Sequence, residues 1–281
     1  MIPSLVHLHG HVPGDFAGQL EMRNVSQDLI VEILSTIHEP KTLQAAGQVL
    51  SDYVHRELGQ KYLERARSLM EAAHALRLGD QAERGQLGDV HTLKAEYLTD
   101  AKFESFLLLL GGQCLSGLTD LNLSRSNVTG PIMASLSKEI LAGRLAKCQY
   151  LQLRHNGIND VDMRVLSGAV REMPELRELW LQGNSIGDEG MEALVDAVRI
   201  GEESSEEAVG EAAQGLRIAQ RWALPRLESL LLNVNPIGDA GWTALAEAIA
   251  SGSLPSLREL VANYKPSTLL HACEARGIWL R

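Results

Sequence analysis

LRELWLQGNSI, residues 176–186, decides the fold. Leu179 and Leu181 alternate with Glu178, Trp180 and Gln182, which is strand periodicity with one buried face. Asn184 stands where the chain turns out of the strand, and its amide can bond open backbone groups there, which an apolar side chain cannot do. Ile186 returns to the core. Gly187-Asp188-Glu189-Gly190 then reads as a turn and a helix start, with Asp188 as the N-cap. The helix carries Met191, Leu194, Val195 and Val198 at a spacing of three to four, which makes one apolar face.

Working outward, the same pattern recurs. It reads LTDLNLSRSNV from Leu118, CQYLQLRHNGI from Cys148, LESLLLNVNPI from Leu227 and, fading, LRELVANYK from Leu257. Successive starts lie 30, 28, 51 and 30 residues apart, so the long interval is one repeat plus an insertion. The fourth unit repeats the third closely, with Ile237-Gly238-Asp239-Ala240-Gly241 before Trp242, Leu245, Ala248 and Ile249. Each unit is one strand and one helix and cannot bury its own core. The expectation is an α/β solenoid, with parallel strands lining the concave side and helices the convex side. Asn156, Asn184 and Asn235 are structural repeat asparagines on this reading.

From Leu118 to about Tyr264 the chain resembles the ribonuclease-inhibitor-like class of leucine-rich repeats, which has units of this length and a helix in every unit. It departs at Ser126, in the Asn position of the first unit, and at Ala262 and Lys265 in the last. These are end units, where atypical capping sequence is expected.

Residues 1–98 are expected to form a mainly helical region and 99–281 the repeat domain. Within the latter, residues 99–112 read as a capping helix, about 201–222 as an acidic insertion and about 266–281 as a C-terminal cap. In the helical region, Ser26 to Ile37 is amphipathic and Pro40 ends it. Thr42–Leu58 and Lys61–Leu78 read as two helices meeting near Gly59, or as one long helix. Gly79-Asp80 and the run Gly85 to Asp89 are loop signals. The insertion holds Glu202, Glu203, Glu206, Glu207 and Glu211 with no Lys or Arg before Arg217, and reads as a solvated excursion.

Composition bounds the function. The 281 residues are 45% hydrophobic but only 4% aromatic, so the core rests on Leu, Ile, Val and Ala. A net charge of −10 repels phosphate, so neither nucleic acid nor an anionic membrane is the expected partner. Cys114, Cys148 and Cys273 show no paired spacing, and no apolar run is long enough to span a membrane. The start lacks the features of a secretory signal. A cytoplasmic protein is expected, with a nuclear location left open.

Catalysis has little to stand on. No G-x-x-x-x-G-K-[ST], G-x-S-x-G or H-E-x-x-H motif is present. His7, His9 and His11 alternate, as ligands on one face of a strand would, and LHGH resembles the first-strand metal motif of amidohydrolase barrels. That family needs further ligands on a (β/α)8 barrel, and the downstream half here is committed to repeats. A metal-dependent hydrolase is therefore the remote alternative, and no enzyme, metal or cofactor is expected.

The strand residues that point away from the core face the inside of the curve. Asn122, Gln152, Trp180, Leu231 and Val261 form the central outward row, flanked by Asp120, Tyr150, Glu178, Ser229 and Glu259 and by Ser124, Arg154, Gln182, Asn233 and Asn263. An apolar Trp180-Leu231-Val261 stripe beside Tyr150, rimmed by polar groups, suits a protein-binding hot spot. The expected role is to hold another protein, as an interaction module or scaffold. The candidate contacts are Tyr150, Gln152, Arg154, Glu178, Trp180, Gln182, Leu231, Asn233 and Val261. The repeat resemblance leaves two alternatives: a small-GTPase regulator, since the Ran GTPase-activating protein shares the class, and a cytoskeletal capping protein, since tropomodulin-like proteins pair a helical part with about five such repeats.

Overall fold

A computed structural model describes residues 31–32, 34–53, 56–203 and 224–281, without the side chains of 53 and 200–203. The His7/His9/His11 string, half of the Ser26–Ile37 segment and most of the insertion lie outside the described residues. The chain divides into two compact units, one reaching Val90 and including Ala101–Gly117, the other formed by His91–Asp100 and Leu118–Arg281.

The first unit is helical. Its elements are α1 (Pro40–Tyr53), α2 (Arg56–Ala75), α3 (Gly79–Arg84), a 3-10 turn at Leu87–Asp89 and, after an excursion into the second unit, the greater part of a helix at Asp100–Gly111. Pro40 opens α1 and does not merely close the segment before it, a first-turn position where its missing N–H costs nothing. Gly59 does not separate two helices. It lies inside α2 against α1, where a Cβ would come 2.2 Å from the Ser51 amide nitrogen. A glycine mid-helix costs up to about 1 kcal/mol relative to alanine; here it permits the close approach of two backbones. Gly79-Asp80 is likewise the first turn of α3, not a loop. Leu43, Leu69, Leu87, Leu109 and the edge-to-face pair Phe103–Phe106, with ring centroids 5.7 Å apart, fill this core.

The second unit is a seven-stranded parallel sheet in sequence order: β1 (Thr92–Lys94), β2 (Asp120–Asn122), β3 (Tyr150–Gln152), β4 (Glu178–Trp180), β5 (Ser229–Leu231), β6 (Glu259–Val261) and β7 (Trp279–Leu280). Between the strands run, among the described residues, the helices Gly130–Leu141, Asp160–Val170, Asp188–Glu203, Asp239–Ser251 and Ser267–Arg276. Leu93, Leu121, Leu151, Leu179, Leu230, Leu260 and Leu280 stand in register across the sheet. The five from Leu121 to Leu260 are wholly buried. The sheet starts one strand before the first recognisable repeat. The β1 segment carries Leu93 and Ala95 in the inward positions but Leu98 where later units have Asn or Ser, so the signature fails there.

The repeat asparagines bind backward. Asn184 Oδ1 accepts from the Asn156 and Ile158 amides at 2.9 and 3.2 Å, and its Nδ2 donates to the Leu153 and Leu181 carbonyls at 3.0 and 2.7 Å. Asn156 serves Ser126, Val128 and Leu123 in the same way, and Asn235 serves Ile186, Leu181 and Leu232. Each side-chain amide thus satisfies the open turn of the preceding unit, and Asn184 and Asn235 also hold a carbonyl of their own unit. Ser126 does a reduced version of this, donating to Ala95 O and accepting from Leu98 N.

Asp160 and Asp188 bind forward, which corrects the reading of Asp188 as the N-cap of its own helix. Asp188 is the first residue of that helix, and its Oδ1 accepts from the Gly238 and Gly241 amides of the next unit at 2.7 and 2.9 Å. Asp160 does the same for Gly187 and Gly190 at 2.6 and 3.1 Å. The carboxylate thereby sits at the amide-rich N-terminus of a neighbouring helix, where negative charge is favoured. In the final unit no Gly-Asp-x-Gly follows; Asp239 instead holds the Tyr264 hydroxyl, and that hydrogen bond, then the carboxylate charge, raises the phenol above its ordinary pKa.

Candidate partner-binding face

The sheet presents the outward rows as read from the sequence. Tyr150 pairs with Glu178, and Gln152, Trp180, Leu231 and Val261 follow one another on adjacent strands. All nine candidates are partly exposed. Three of their outward neighbours are not: Asn122, Ser124 and Ser229 are buried. Asn122 Nδ2 donates to Glu96 Oε1 at 2.6 Å and its Oδ1 accepts from the Ser124 amide, while Ser229 Oγ donates to Glu259 at 3.2 Å.

Trp180 is held from two sides. Its Nε1 donates to Glu178 Oε2 at 2.9 Å, which satisfies the only polar group of the indole. The Arg154 guanidinium lies over the ring, 4.6 Å from its centroid, in cation–π geometry. Arg154 also donates to Gln152 Oε1 at 3.1 Å. Trp180 and Arg154 thus constrain one another, with Glu178 and Gln152 as their hydrogen-bond partners. Gln182 Oε1 is covered and has no hydrogen-bond partner among the described residues.

Sequence reading missed the residues at the C-terminal ends of the strands. Tyr97, Arg125, His155, Gly183 and Val234 occupy equivalent positions, one residue before the Asn position, and all five have positive φ, between 52° and 71°. No pattern of residue type marks this ridge; only its regular place in the repeat does. Arg125 Nη1 donates to the Tyr97 hydroxyl at 2.6 Å, with the guanidinium 5.5 Å from that ring's centroid. His155 lies across Gly183, where a Cβ would meet the imidazole at 2.2 Å. Glu96, Ser124, Arg125, Arg154 and His155 line a small cleft beside the concave face.

Among the described residues there is no group of three His, Cys, Asp or Glu side chains placed to hold a metal. No described helix is long and apolar enough to cross a membrane. Cys148 fills a leucine position of the repeat core, and burial pushes its thiol up to about 12, so it is a small hydrophobe at neutral pH.

The tandem strand-and-helix units, the inward leucines and the asparagine ladder define a leucine-rich-repeat protein with units of the ribonuclease-inhibitor-like kind. A family described as Leucine Rich repeat matches residues 173–195. Over 131 residues, 46% of this chain, it is 34% identical to Tonsoku-like protein of Danio rerio. Over 111 residues, 37% of this chain, it is 29% identical to ribonuclease inhibitor of Sus scrofa. The matched stretches span 8% and 24% of those two proteins. The chain is also similar to a solved tropomodulin C-terminal domain of Caenorhabditis elegans, with a TM-score of 0.47 and 15% identity, covering 64% of this chain and 92% of that one.

Proposed function

We propose that the repeat unit is a protein-binding module that holds a partner against the concave sheet face, without catalysis, cofactor or metal. The observation that carries this reading is the state of Trp180: partly exposed, with its N–H and one ring face already engaged and Leu231 and Val261 on the next two strands. An aromatic anchor fixed in advance loses little side-chain entropy on binding, and a rim of polar groups around an apolar centre is the usual anatomy of an interface. Tyr150, Gln152, Arg154, Glu178, Gln182 and Asn233, all partly exposed, supply the rim. A cytoplasmic location suits three buried free thiols.

The test is affinity capture from the native source with wild type, Trp180→Ala and, as a control on the far side of the repeat, Val165→Ala. The partner should be retained by wild type and by Val165→Ala and lost by Trp180→Ala. Equal capture by a folded Trp180→Ala/Leu231→Ala double variant would remove the concave face from the account.

A further inference from the structure

We propose that the cleft beside the concave face, between the Arg125 and Arg154 side chains, takes a carboxylate from an acidic segment of the bound peptide chain. The inference rests on the reading of the neighbouring face as a protein-binding surface and assigns the chemistry of one of its subsites.

The first observation is charge. The chain is strongly acidic, and among the described residues six arginines of the repeats sit beside a carboxylate: Arg144 by Glu139, Arg164 by Glu189, Arg177 by Glu228, Arg199 by Glu247, Arg226 by Glu175 and Arg281 by Glu259, whereas Arg171, Arg258 and Arg276 have no such ion pair and stand apart from one another in the chain. Arg125 and Arg154 have no such ion pair among the described residues, and they line the same cleft. The Arg125 amide donates to the Arg154 carbonyl at 2.8 Å, so the two stand side by side on adjacent units.

The second observation is that the donors are fixed. Arg125 is held on Tyr97, Arg154 on Trp180, and His155 against Gly183, each by a residue of an adjacent unit. Ser124 adds a buried hydroxyl, within 3.4 Å of Arg154 Nε. The single carboxylate in the lining, Glu96, already accepts from Asn122. Two guanidiniums against one engaged carboxylate leave local positive charge, and a guanidinium fork matches a carboxylate in geometry. The rest of the chain's negative charge is screened beyond about 8 Å at physiological ionic strength, so contact with these groups decides. A long polyanion would meet the whole acidic surface and be repelled; one or two acidic side chains of a peptide would not.

The experiment uses the full chain, nitrogen-15 labelled, and three synthetic hexapeptides, acetyl-Gly-Ser-Glu-Glu-Gly-Ser-amide, its Gln-Gln counterpart and a phosphoserine counterpart. Chemical-shift titration should move the Arg125, Arg154 and His155 resonances with the Glu-Glu peptide and not with the Gln-Gln one. Arg125→Gln should weaken the binding at least tenfold, Arg125→Lys should restore most of it, and Glu96→Gln should strengthen it; melting curves establish that each variant is folded. Equal shifts from the Gln-Gln peptide, an unaffected Arg125→Gln variant, or binding confined to the phosphoserine peptide would each overturn the carboxylate assignment. Arg125 does not touch Trp180 in the way Arg154 does. If the peptides fail to bind while partner capture still depends on Trp180, this inference falls and the concave-face reading stands.

Discussion

Asp188 and Gly241, 53 residues apart, are joined by a hydrogen bond of 2.9 Å from the glycine amide to the aspartate Oδ1. The contact needs both residue types. A Cβ on Gly241 would come 2.8 Å from that same oxygen. The Gly-Asp-x-Gly is thus one device split between neighbours: Asp160 grips Gly187 and Gly190, and Asp188 grips Gly238 and Gly241.

The pair should behave as coupled. Asp188→Ala removes the acceptor for two helix-start amides and should cost about 1–2 kcal/mol. Gly241→Ala should cost about 2 kcal/mol or more in the wild type, by crowding at the carboxylate, and roughly 1 kcal/mol less in the Asp188→Ala background. Urea unfolding of the four proteins measures this. Strict additivity would mean the contact carries no energy.

Asn184 makes four hydrogen bonds from a buried position, to backbone groups of two units. Asn184→Ala leaves those amides and carbonyls covered and unpaired, at about 1–3 kcal/mol for each group that water cannot reach. The expected loss is on the order of 3–5 kcal/mol, visible as a large drop in the thermal midpoint by circular dichroism. A drop no greater than that of an exposed substitution such as Val161→Ala would show that the ladder is dispensable.

Val234 sits at φ +60° and is 57% exposed. A β-branched residue in the left-handed region costs roughly 1–2 kcal/mol, and an exposed one loses little packing when replaced. Val234→Asn should therefore stabilise the repeat unit by about 1 kcal/mol. Glycine at the same place should gain less, because it also frees the unfolded chain. Melting midpoints of the two variants decide it, and a destabilised Val234→Asn would mean the valine has a contact that outweighs its strain.

Burial pushes the Cys114 and Cys148 thiols up to about 12 from an ordinary 9.0 and raises that of Cys273 in the same direction. The folded protein therefore holds protons that the unfolded chain releases once the pH passes about 9, so stability should fall with rising pH between about 9 and about 12. At pH 8 the native thiols should resist an aromatic disulfide reagent for minutes and react at once in guanidinium. Flattening of the alkaline limb in a triple Cys→Ala variant would confirm the source; an unchanged limb would assign it elsewhere.

The sequence by itself determined the repeat. Leu179, Leu181, Asn184 and Ile186 recur because each has one physical role in a unit, and a role that repeats leaves its residue type visible. The outward order of Tyr150, Glu178, Trp180, Leu231 and Val261 followed from strand alternation alone. What only the tertiary structure decided was what one unit does to the next. Asp188 looked like a cap for its own helix because a short-range motif is all that residues 187–190 can show; its acceptor faces Gly238 and Gly241 because stacking brings that helix start closer to hand. Gly59 looked like a break for the same reason, since its neighbour Ser51 is across a helix pair and not along the chain. The first strand escaped notice because Leu98 stands where the repeat has Asn. The Arg125–Arg154 cleft left no trace because ridge positions are fixed by a left-handed backbone that Tyr97, Arg125, His155, Gly183 and Val234 all adopt. A conformation imposed by hydrogen bonds from neighbouring units constrains the backbone and leaves the side chain free to vary.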